Sequence, residues 1–239
     1  MNQRLYLSPP LSVGVERTLD SEDSHYLVRV LRLKPGAHLR CFDGEGSEWA
    51  AQLTRSSTRA SVVRVAELVR CEGPCELQLH LAQGWLKGPA MDQTVQKATE
   101  LGISDFWPIS AARSNAKIDD ARAHGRMRHW QRIARSATEQ SERLYLPRLH
   151  APRGLSAFLG RPPCPKLLFL QPGCEPLPTN LPRQALALLV GPEGGWTPDE
   201  CNMARHANAD LHGLGSLILR AETAPLAALA AVRHGWGWR

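Results

Sequence analysis

Short runs of alternating hydrophobic and polar residues dominate the first 70 residues, and turn-forming sequences separate them. Strands are predicted by AHLRCF, SEWAAQL and ASVVRVAEL, with DGEG and RSSTR as the connecting turns. A short helix is predicted by HYLVRVLRL, which the following KPG ends. This pattern is typical of a small β-barrel, and a change of composition at residues 71–75 predicts the linker that follows it.

Buried runs alternate with amphipathic segments from residue 77 onward. Strands are predicted by LQLHLAQ, ISDFWPIS, KLLFLQP, ALALLV and LILR, and helices by MDQTVQKATELG, TPDECNMARHA, ETAPLAALAAV and residues 119–142. The helix over 119–142 has its apolar stripe at Trp130, Ile133, Ala134 and Ala137. Strands that alternate with helices predict an α/β domain with a mostly parallel sheet covered by helices on both faces.

The positive charge of the chain is concentrated in one segment. The net charge is +6, and residues 112–153 contain ten basic and four acidic side chains, which accounts for the whole excess. Such a patch on an otherwise balanced protein indicates a polyanionic partner, although a solvated helix face is an equally ordinary explanation. Arg128, Arg132 and Arg135 lie on a different face of the predicted helix from its apolar stripe.

Composition also argues against several classes of protein. The N-terminus MNQRLYLSPP has no apolar signal core, and no apolar run approaches the ~20 residues that cross a bilayer. Of the six cysteines only Cys71 and Cys75 lie close together, and neither a second pair nor suitably spaced histidines complete a zinc site. We therefore expect a cytoplasmic protein with free thiols, without a metal ion and without a membrane partner.

The clearest candidate for a binding loop is LALLVGPEGGWT, residues 186–197, where a buried strand leads into three glycines. A P-loop would need a lysine and a Ser or Thr here, and a Rossmann fingerprint would come in the first βα unit. A glycine loop without a cation suits a neutral or cationic ligand held by backbone groups, such as an adenine or a sulfonium. A βα turn without any ligand is the structural alternative.

A second glycine turn, GLGSLILRAETAPL at 213–226, changes this interpretation. Together with LLVGPEGGW it resembles the paired signature of the SPOUT class of S-adenosylmethionine-dependent RNA methyltransferases. More narrowly, the chain resembles the ribosomal RNA small subunit methyltransferase E family, which methylates N3 of a uridine in 16S ribosomal RNA. Further blocks extend the resemblance over nearly the whole chain: HYLVRVLRLKPG, FDGEGSEW, KGPAMDQTVQKATELGISDFWPI and ATEQSERLYLP.

The resemblance implies a particular architecture and particular partners. Residues 1–72 would form a PUA-like β-barrel that binds RNA, and residues 73–239 a SPOUT methyltransferase domain. That domain would contain a deep trefoil knot, which general rules of chain topology do not predict. The family further implies a homodimer that acts on ribosomal RNA, within an assembled small ribosomal subunit.

The resemblance also implies roles for individual residues. It places S-adenosylmethionine against Leu170, Val190, Gly191, Pro192, Glu193, Gly194, Gly195, Leu214, Gly215, Leu217, Leu219, Thr223 and Ala224. Arg113 and Arg143 are the leading candidates to stabilise charge on the uracil oxygens, with phosphate contact or a surface ion pair as the alternative for each. Glu139 and Glu193 are candidate proton acceptors, but Glu139 would alternatively orient Arg143 and Glu193 would alternatively brace its loop. Candidate RNA contacts are Arg29, Arg32, Lys34, Arg128, Arg132 and Arg135.

The chain departs from the usual pattern of this family at six positions, namely Pro89, Ala90, Ala111, Ala112, Ser216 and Ala221. The glycine turns and the EQSER block are intact. Two other classes of function stay open at this point. One is a non-catalytic RNA-binding protein with a degenerate cofactor pocket, and the other is a nucleotide-binding enzyme of doubly wound fold, which the missing phosphate loop disfavours.

Overall fold

The computed structural model describes residues 3–73, 77–114 and 120–238. Cys75 lies outside the described residues, as do Lys117 and Asp119 of the basic segment 112–153. Within the described ranges, no helix is long and apolar enough to cross a membrane.

The chain forms two compact units, and each has its own β-sheet. The first unit comprises Met1–Pro74 and Thr138–Leu146, and the second comprises Cys75–Ala137 and Pro147–Arg239. The segment 138–146 therefore belongs with the N-terminal part of the chain, although it follows the long helix in sequence. No local pattern predicts this, because the contacts join residues more than a hundred positions apart.

The sheet of the first unit is a five-stranded half-barrel. Its strands are β1 (Arg4–Tyr6), β2 (Glu16–Thr18), β3 (His38–Phe42), β4 (Ser47–Arg55) and β5 (Val62–Cys71). They pair in the order β1-β3-β4-β5-β2, and only the β1–β3 pairing is parallel. Register shifts between β4 and β5 mark bulges, which bend a sheet. The three predicted strands are confirmed as β3, β4 and β5, whereas the short strands β1 and β2 were not predicted.

The predicted helix over residues 25–33 is displaced along the chain. Helix α1 spans Ser21–His25, and a π-helical turn continues it over Tyr26–Val30. The side chain of Asp20 accepts a hydrogen bond from the backbone N–H of Asp23, so the helix begins before the apolar run. It ends before the run is complete because Arg32 adopts a left-handed φ of 55°.

The second unit contains a seven-stranded sheet and most of the helices. Its strands are β6 (Leu79–Gly84), β7 (Asp105–Ser110), β8 (Arg148–Leu149), β9 (Arg153–Gly154), β10 (Lys166–Leu170), β11 (Leu186–Val190) and β12 (Asp210–His212). Its helices are α2 (Pro89–Glu100), α3 (Asp120–Gln140, which ends within the first unit), α4 (Leu155–Gly160), α5 (Pro198–His206) and α6 (Thr223–Gly235).

Every pairing in this sheet is parallel, in the order β12-β10-β11-β6-β7-β8, and β9 also pairs with β7. One hydrophobic cluster contains side chains of α2, α3 and α6 on one face, and another contains side chains of α4 and α5 on the other. The prediction of a parallel sheet covered on both faces is therefore confirmed. The buried side chains of Trp130, Ala134 and Ala137 confirm the apolar stripe of α3.

The prediction of a strand over LILR, residues 217–220, is wrong. These residues form an irregular segment after β12, and the side chains of Leu217 and Ile218 are 76% and 84% exposed. The edge position of the sheet belongs instead to Asp210–His212, which pairs with Leu168–Leu170 of β10. An apolar run predicts a strand only where a neighbouring strand takes up its backbone hydrogen bonds, and LILR lies beyond that neighbour.

Two local predictions in the second unit are confirmed. Thr197 and Glu200 form the capping box at the start of α5, where each side chain bonds to the backbone of the other residue. Gly102 has a φ of +86° directly after α2, as a glycine at the end of a helix does. The described cysteines, Cys41, Cys71, Cys164, Cys174 and Cys201, all carry free thiols.

Candidate functional site

A large cavity opens at the carboxyl ends of β10, β11 and β12 in the second unit. Its volume is about 670 Å³. Small-molecule sites commonly measure roughly 300–1,000 Å³, and open parallel sheets bind ligands at this edge. The walls are formed by three segments that follow the strands, 170–172, 190–196 and 212–222, together with residues of α2 and α6.

The structure brings nearly all of the predicted cofactor residues together around this cavity. Its lining includes Leu170, Val190, Gly191, Pro192, Glu193, Gly194, Gly195, Leu214, Gly215, Leu217, Leu219 and Ala224. Thr223, the first residue of α6, is exposed and does not line the cavity. The residues come from two stretches that are separated in sequence, and they meet because β11 and β12 lie on either side of β10.

Sequence reasoning missed several residues of the same walls. These are Ala90, Gln171, Pro172, Trp196, His212, Gly213, Ile218, Arg220, Ala221 and Glu222. A signal for Gln171 was present, since it follows the buried strand KLLFL directly, as the glycine loop follows LALLV. His212 gave no such signal, because β12 was not predicted.

Hydrogen bonds from three different segments hold the glycine loop 191–196. The Gln83 side chain donates from Nε2 to the carbonyl oxygen of Gly191 over 3.1 Å. The backbone N–H of Lys87 donates to Oε1 of Glu193 over 2.9 Å. Arg113 donates from Nη1 to the carbonyl oxygen of Gly194 over 3.2 Å. The loop is thus tied to its surroundings without using its own N–H groups in these bonds.

The glycines of the site act in two different ways. A Cβ at Gly194 would lie 2.8 Å from Cβ of Arg113, and a Cβ at Gly84 would lie 2.5 Å from the nitrogen of Pro192. These two glycines allow protein segments to pack against the loop. Gly195 and Gly215 instead have positive φ values of 66° and 93°, and a Cβ would meet no atom within 4 Å. These two glycines allow the backbone to turn, and they leave space open where another residue would place its side chain.

The segment that contains Arg113 is anchored to α5. The backbone N–H of Ala112 donates to Oε1 of Glu200 over 2.8 Å, and Oε2 of the same carboxylate accepts from the backbone N–H of Thr197. Glu200 is buried. Glu200 therefore holds the backbone next to Arg113, and the guanidinium of Arg113 contacts the glycine loop.

Three polar side-chain atoms of residues in the cavity wall are buried and lack a hydrogen-bond partner among the described residues. They are Oε1 of Gln171, Nδ1 of His212 and Nε1 of Trp196. Buried polar groups in proteins are nearly always paired, so these three atoms are exceptions.

The other two candidate catalytic residues, Glu139 and Arg143, belong to the first unit. Oε1 of Glu139 accepts a hydrogen bond from the backbone N–H of Tyr6 over 2.9 Å. Arg4 donates to the carbonyl oxygens of Thr138, Glu139 and Arg143, each within 3.1 Å. The barrel thus holds both ends of the segment from which the Arg143 side chain extends.

The candidate RNA contacts form two sets. Arg29, Arg32 and Lys34 are exposed in the first unit, at and after the π-helical turn. On α3, Arg128 and Arg132 are exposed and Arg135 is half-buried. Both sets contain several cations within a short stretch of backbone, as surfaces that contact phosphates do.

Comparison with known proteins places this architecture among the RNA methyltransferases. The family profile described as RNA methyltransferase domain matches residues 73–233, and the one described as RNA methyltransferase PUA domain matches residues 19–65. Ribosomal RNA small subunit methyltransferase E of Synechocystis sp. is 34% identical over 97% of this chain and 77% of its own length. The protein of the same name from Bacillus subtilis is 31% identical over 91% of this chain and 89% of its own length.

A solved structure resembles the whole chain. Ribosomal RNA small subunit methyltransferase E from Neisseria gonorrhoeae, bound to S-adenosyl methionine, superposes with a TM-score of 0.91. The two sequences are 33% identical, and the match covers 99% of this chain and 98% of that one. The likeness therefore extends over both units.

Proposed function

This chain belongs to the RNA methyltransferase family, and from that premise we propose that it transfers a methyl group from S-adenosylmethionine to N3 of a uridine in small-subunit (16S) ribosomal RNA. The observation that carries the proposal is the cavity at the carboxyl ends of β10, β11 and β12, whose walls contain both glycine turns. The proposal assigns RNA binding to residues 1–72 and methyl transfer to residues 73–239.

The cavity fits S-adenosylmethionine in size and in chemistry. Leu170, Val190, Leu214 and Leu219 supply apolar walls for a purine. The positive φ of Gly195 leaves open space where any other residue would place a side chain. Among the described residues, the wall carries few charges and no lysine, which disfavours a nucleoside polyphosphate.

S-adenosylmethionine, when bound, supplies an electrophilic methyl group on its sulfonium. The protein has to position the uridine ring, accept or route the N3 proton, and stabilise negative charge on the uracil oxygens. We assign the charge stabilisation to Arg143 and Arg113, since a guanidinium is always charged and presents several N–H donors in one plane. Because Arg113 also contacts the carbonyl oxygen of Gly194, its position depends on that of the glycine loop.

The two carboxylates that were candidate proton acceptors already accept hydrogen bonds from backbone N–H groups. Glu139 accepts from Tyr6, and Glu193 accepts from Lys87. We therefore assign Glu139 a positioning role for the segment of Arg143, and Glu193 a bracing role for the glycine loop.

Ribosomal RNA is the proposed partner, contacted through Arg29, Arg32 and Lys34 of the barrel and through Arg128, Arg132 and Arg135 of α3. We further propose that the protein acts as a homodimer in the cytoplasm and that an assembled small subunit is its substrate. A trefoil knot belongs to the same proposal.

Calorimetric titration with S-adenosylmethionine tests the proposal directly. The wild-type protein should bind, and Gly195→Val should abolish binding, because it places a branched side chain at a φ of +66° on the cavity wall. Gly125→Val, at an exposed glycine of α3, is the matched control. A folded wild-type protein that does not bind S-adenosylmethionine would favour the alternative of an RNA-binding protein with a degenerate pocket.

A further inference from the structure

The turn between β3 and β4 binds a segment that is distant in sequence, residues 144–146. The backbone N–H of Gly46 donates to the carbonyl oxygen of Leu144 over 3.3 Å, and the backbone N–H of Leu146 donates to the carbonyl oxygen of Gly44 over 3.1 Å. The sequence pattern predicts this turn only as a connection between two strands. In the structure it also fixes the backbone that directly follows Arg143.

Gly46 permits this close approach. A Cβ at this position would lie 2.6 Å from the carbonyl oxygen of Glu72 and would overlap the hydroxyl of Tyr145. That hydroxyl donates to the carbonyl oxygen of Glu72 over 2.7 Å, so the side chain of Tyr145 lies across the turn. The turn is therefore fitted to the segment that it binds.

Two arginines of the half-barrel bind the backbone just before this pairing. Arg70 of β5 donates from Nη2 to the carbonyl oxygen of Glu142 over 2.9 Å, and Arg4 donates to that of Arg143 over the same distance. Both guanidiniums contact the buried Glu48, with Nε of Arg4 2.6 Å from Oε1 and Nε of Arg70 3.6 Å from Oε2. One carboxylate thus orients the two cations that hold successive carbonyl oxygens.

The backbone is strained at the residue before Arg143. Glu142 has a φ of +58°, in the left-handed region that only a few per cent of residues other than glycine adopt. Such conformations persist where the surrounding structure holds them, and they are frequent at functional sites. The side chain of Glu142 is exposed, whereas its carbonyl oxygen is held by Arg70. The half-barrel thus stabilises the conformation in which the chain enters Arg143.

From these contacts we infer that the half-barrel positions Arg143 for the chemical step, in addition to the RNA binding proposed for it. Arg70 and Glu142 are the positioning residues. The inference rests on the proposed function, which assigns stabilisation of charge on the uracil oxygens to Arg143. A misplacement of about 1 Å is enough to remove much of the effect of a catalytic group, so a segment held at both ends is an advantage here.

Single-turnover methyl transfer tests the inference, with saturating cofactor and saturating small ribosomal subunits from cells that lack the protein. Arg70→Met should slow this step at least about tenfold, while the affinities for RNA and for S-adenosylmethionine stay near those of the wild type. Arg70→Lys keeps a cationic donor and should restore part of the rate. Arg64→Met, on the same strand and in an exposed ion pair with Glu16, is the matched control and should keep the wild-type rate.

Glu142 is tested by two substitutions with opposite expected results. Glu142→Gly adopts a φ of +58° without strain and should keep the wild-type rate. Glu142→Val introduces a β-branched side chain that disfavours this φ, so it should slow the step as Arg70→Met does. If both substitutions slow the step equally, the side chain of Glu142 matters and its backbone conformation does not, which would contradict the inference.

A double variant distinguishes the positioning of Arg143 from a general loss of stability. If Arg70 acts through Arg143, Arg70→Met should slow methyl transfer much less in an Arg143→Lys protein than in the wild type, because residues that act as a unit are not additive. Equal slowing in both proteins overturns the inference. A wild-type rate for Arg70→Met or for Arg143→Lys also overturns it, as does a deficit of Arg70→Met that disappears at saturating RNA.

In those cases methyl transfer by the wild-type protein still supports the proposed function. A wild-type protein that does not methylate the small subunits would reject the proposed function and the inference together.

Discussion

Arg4 donates a hydrogen bond from Nη2 to the backbone carbonyl oxygen of Arg143 over 2.9 Å. The same guanidinium pairs with Glu48 of the half-barrel at 2.6 Å, and both side chains are almost completely buried. One cation in the first strand therefore holds the segment from which the candidate catalytic arginine extends. Arg4 thus links the first strand to Arg143, to which the family resemblance assigns a catalytic role.

Arg4→Met should destabilise the protein and loosen this segment. The change removes the nearer cation of the buried Glu48, while Arg70 stays 3.6 Å from its Oε2, so the loss in the free energy of unfolding should be about 3 kcal/mol, the lower end of the range for a broken buried pair. Urea denaturation measures the loss. Arg64→Met breaks an exposed pair with Glu16 and should cost less than about 1 kcal/mol. Equal effects of the two variants would show that Arg4 does not stabilise the segment in this way.

The basic face of α3 should contact RNA and not the cofactor. Reversing the charges of Arg128, Arg132 and Arg135 should weaken RNA binding and reduce the magnitude of the salt slope by about two to three, because fewer counterions are released. Binding of S-adenosylmethionine should be unchanged. The measurement is RNA affinity as a function of salt concentration.

A second triple variant provides the control for the basic face. Arg161, Arg183 and Arg205 are exposed elsewhere in the second unit, and reversing them changes the net charge by the same amount. Their reversal should leave most of the salt slope intact. If the two triple variants reduce the slope equally, the face of α3 is solvated surface and the effect is one of net charge.

Asp105 should stabilise the second unit in a pH-dependent way. Its Oδ1 lies 2.6 Å from Nε2 of His150 and its Oδ2 lies 3.1 Å from Nδ1 of His80. Burial raises the pKa of this carboxyl, but the two imidazoles lower it more, so the pKa is well below its ordinary value. Because the pKa is lower in the folded than in the unfolded protein, the stabilisation is present above about pH 4 and declines as the pH falls.

Asp105→Asn should therefore reduce the free energy of unfolding more at pH 7 than at pH 3. Denaturation curves at the two pH values measure the difference. Glu67→Gln, at an exposed position of β5, should have a small effect that is the same at both. A loss that does not depend on pH would mean that the ionised form of Asp105 contributes nothing to stability.

Relationships between residues that are close in sequence were predictable, and several between distant residues were not. The strand LALLV and the capping box of Thr197 with Glu200 were predictable because their patterns depend on neighbouring residues. The glycine turns could be placed at one site because parallel strands end at one edge of a sheet. His212 could not, since it belongs to β12, which is only three residues long and was not predicted.

The sequence pattern likewise did not predict that residues 138–146 belong to the first unit. It depends on Arg4, Tyr6 and Glu48, which are far from this segment in the chain.

One practical consequence concerns truncation. A protein that begins near residue 73 would leave 138–146 without its partners, so the role of the barrel is better tested by substitution. Reversing the charges of Arg29, Arg32 and Lys34 should weaken RNA binding and leave cofactor affinity unchanged.

Arg143 should act in the chemical step. Lysine keeps the positive charge but lacks the planar fork that engages a uracil oxygen with two donors. We expect Arg143→Lys to bind cofactor and RNA nearly normally, while single-turnover methyl transfer at saturating RNA falls by roughly 10²-fold or more. Arg161→Lys, at an exposed site, is the control. A deficit that disappears at saturating RNA would show that Arg143 only contacts the RNA backbone.

The most direct measurement is the position of the methyl group that the protein adds. Small ribosomal subunits from cells that lack the protein would be incubated with it and with S-adenosylmethionine, and the RNA would be digested to nucleosides for mass spectrometry. We expect N3-methyluridine at a single site of 16S ribosomal RNA, together with a block to reverse transcription there, because N3 lies on the pairing edge of the base. Absence of methylation, or methylation of another atom, would contradict it.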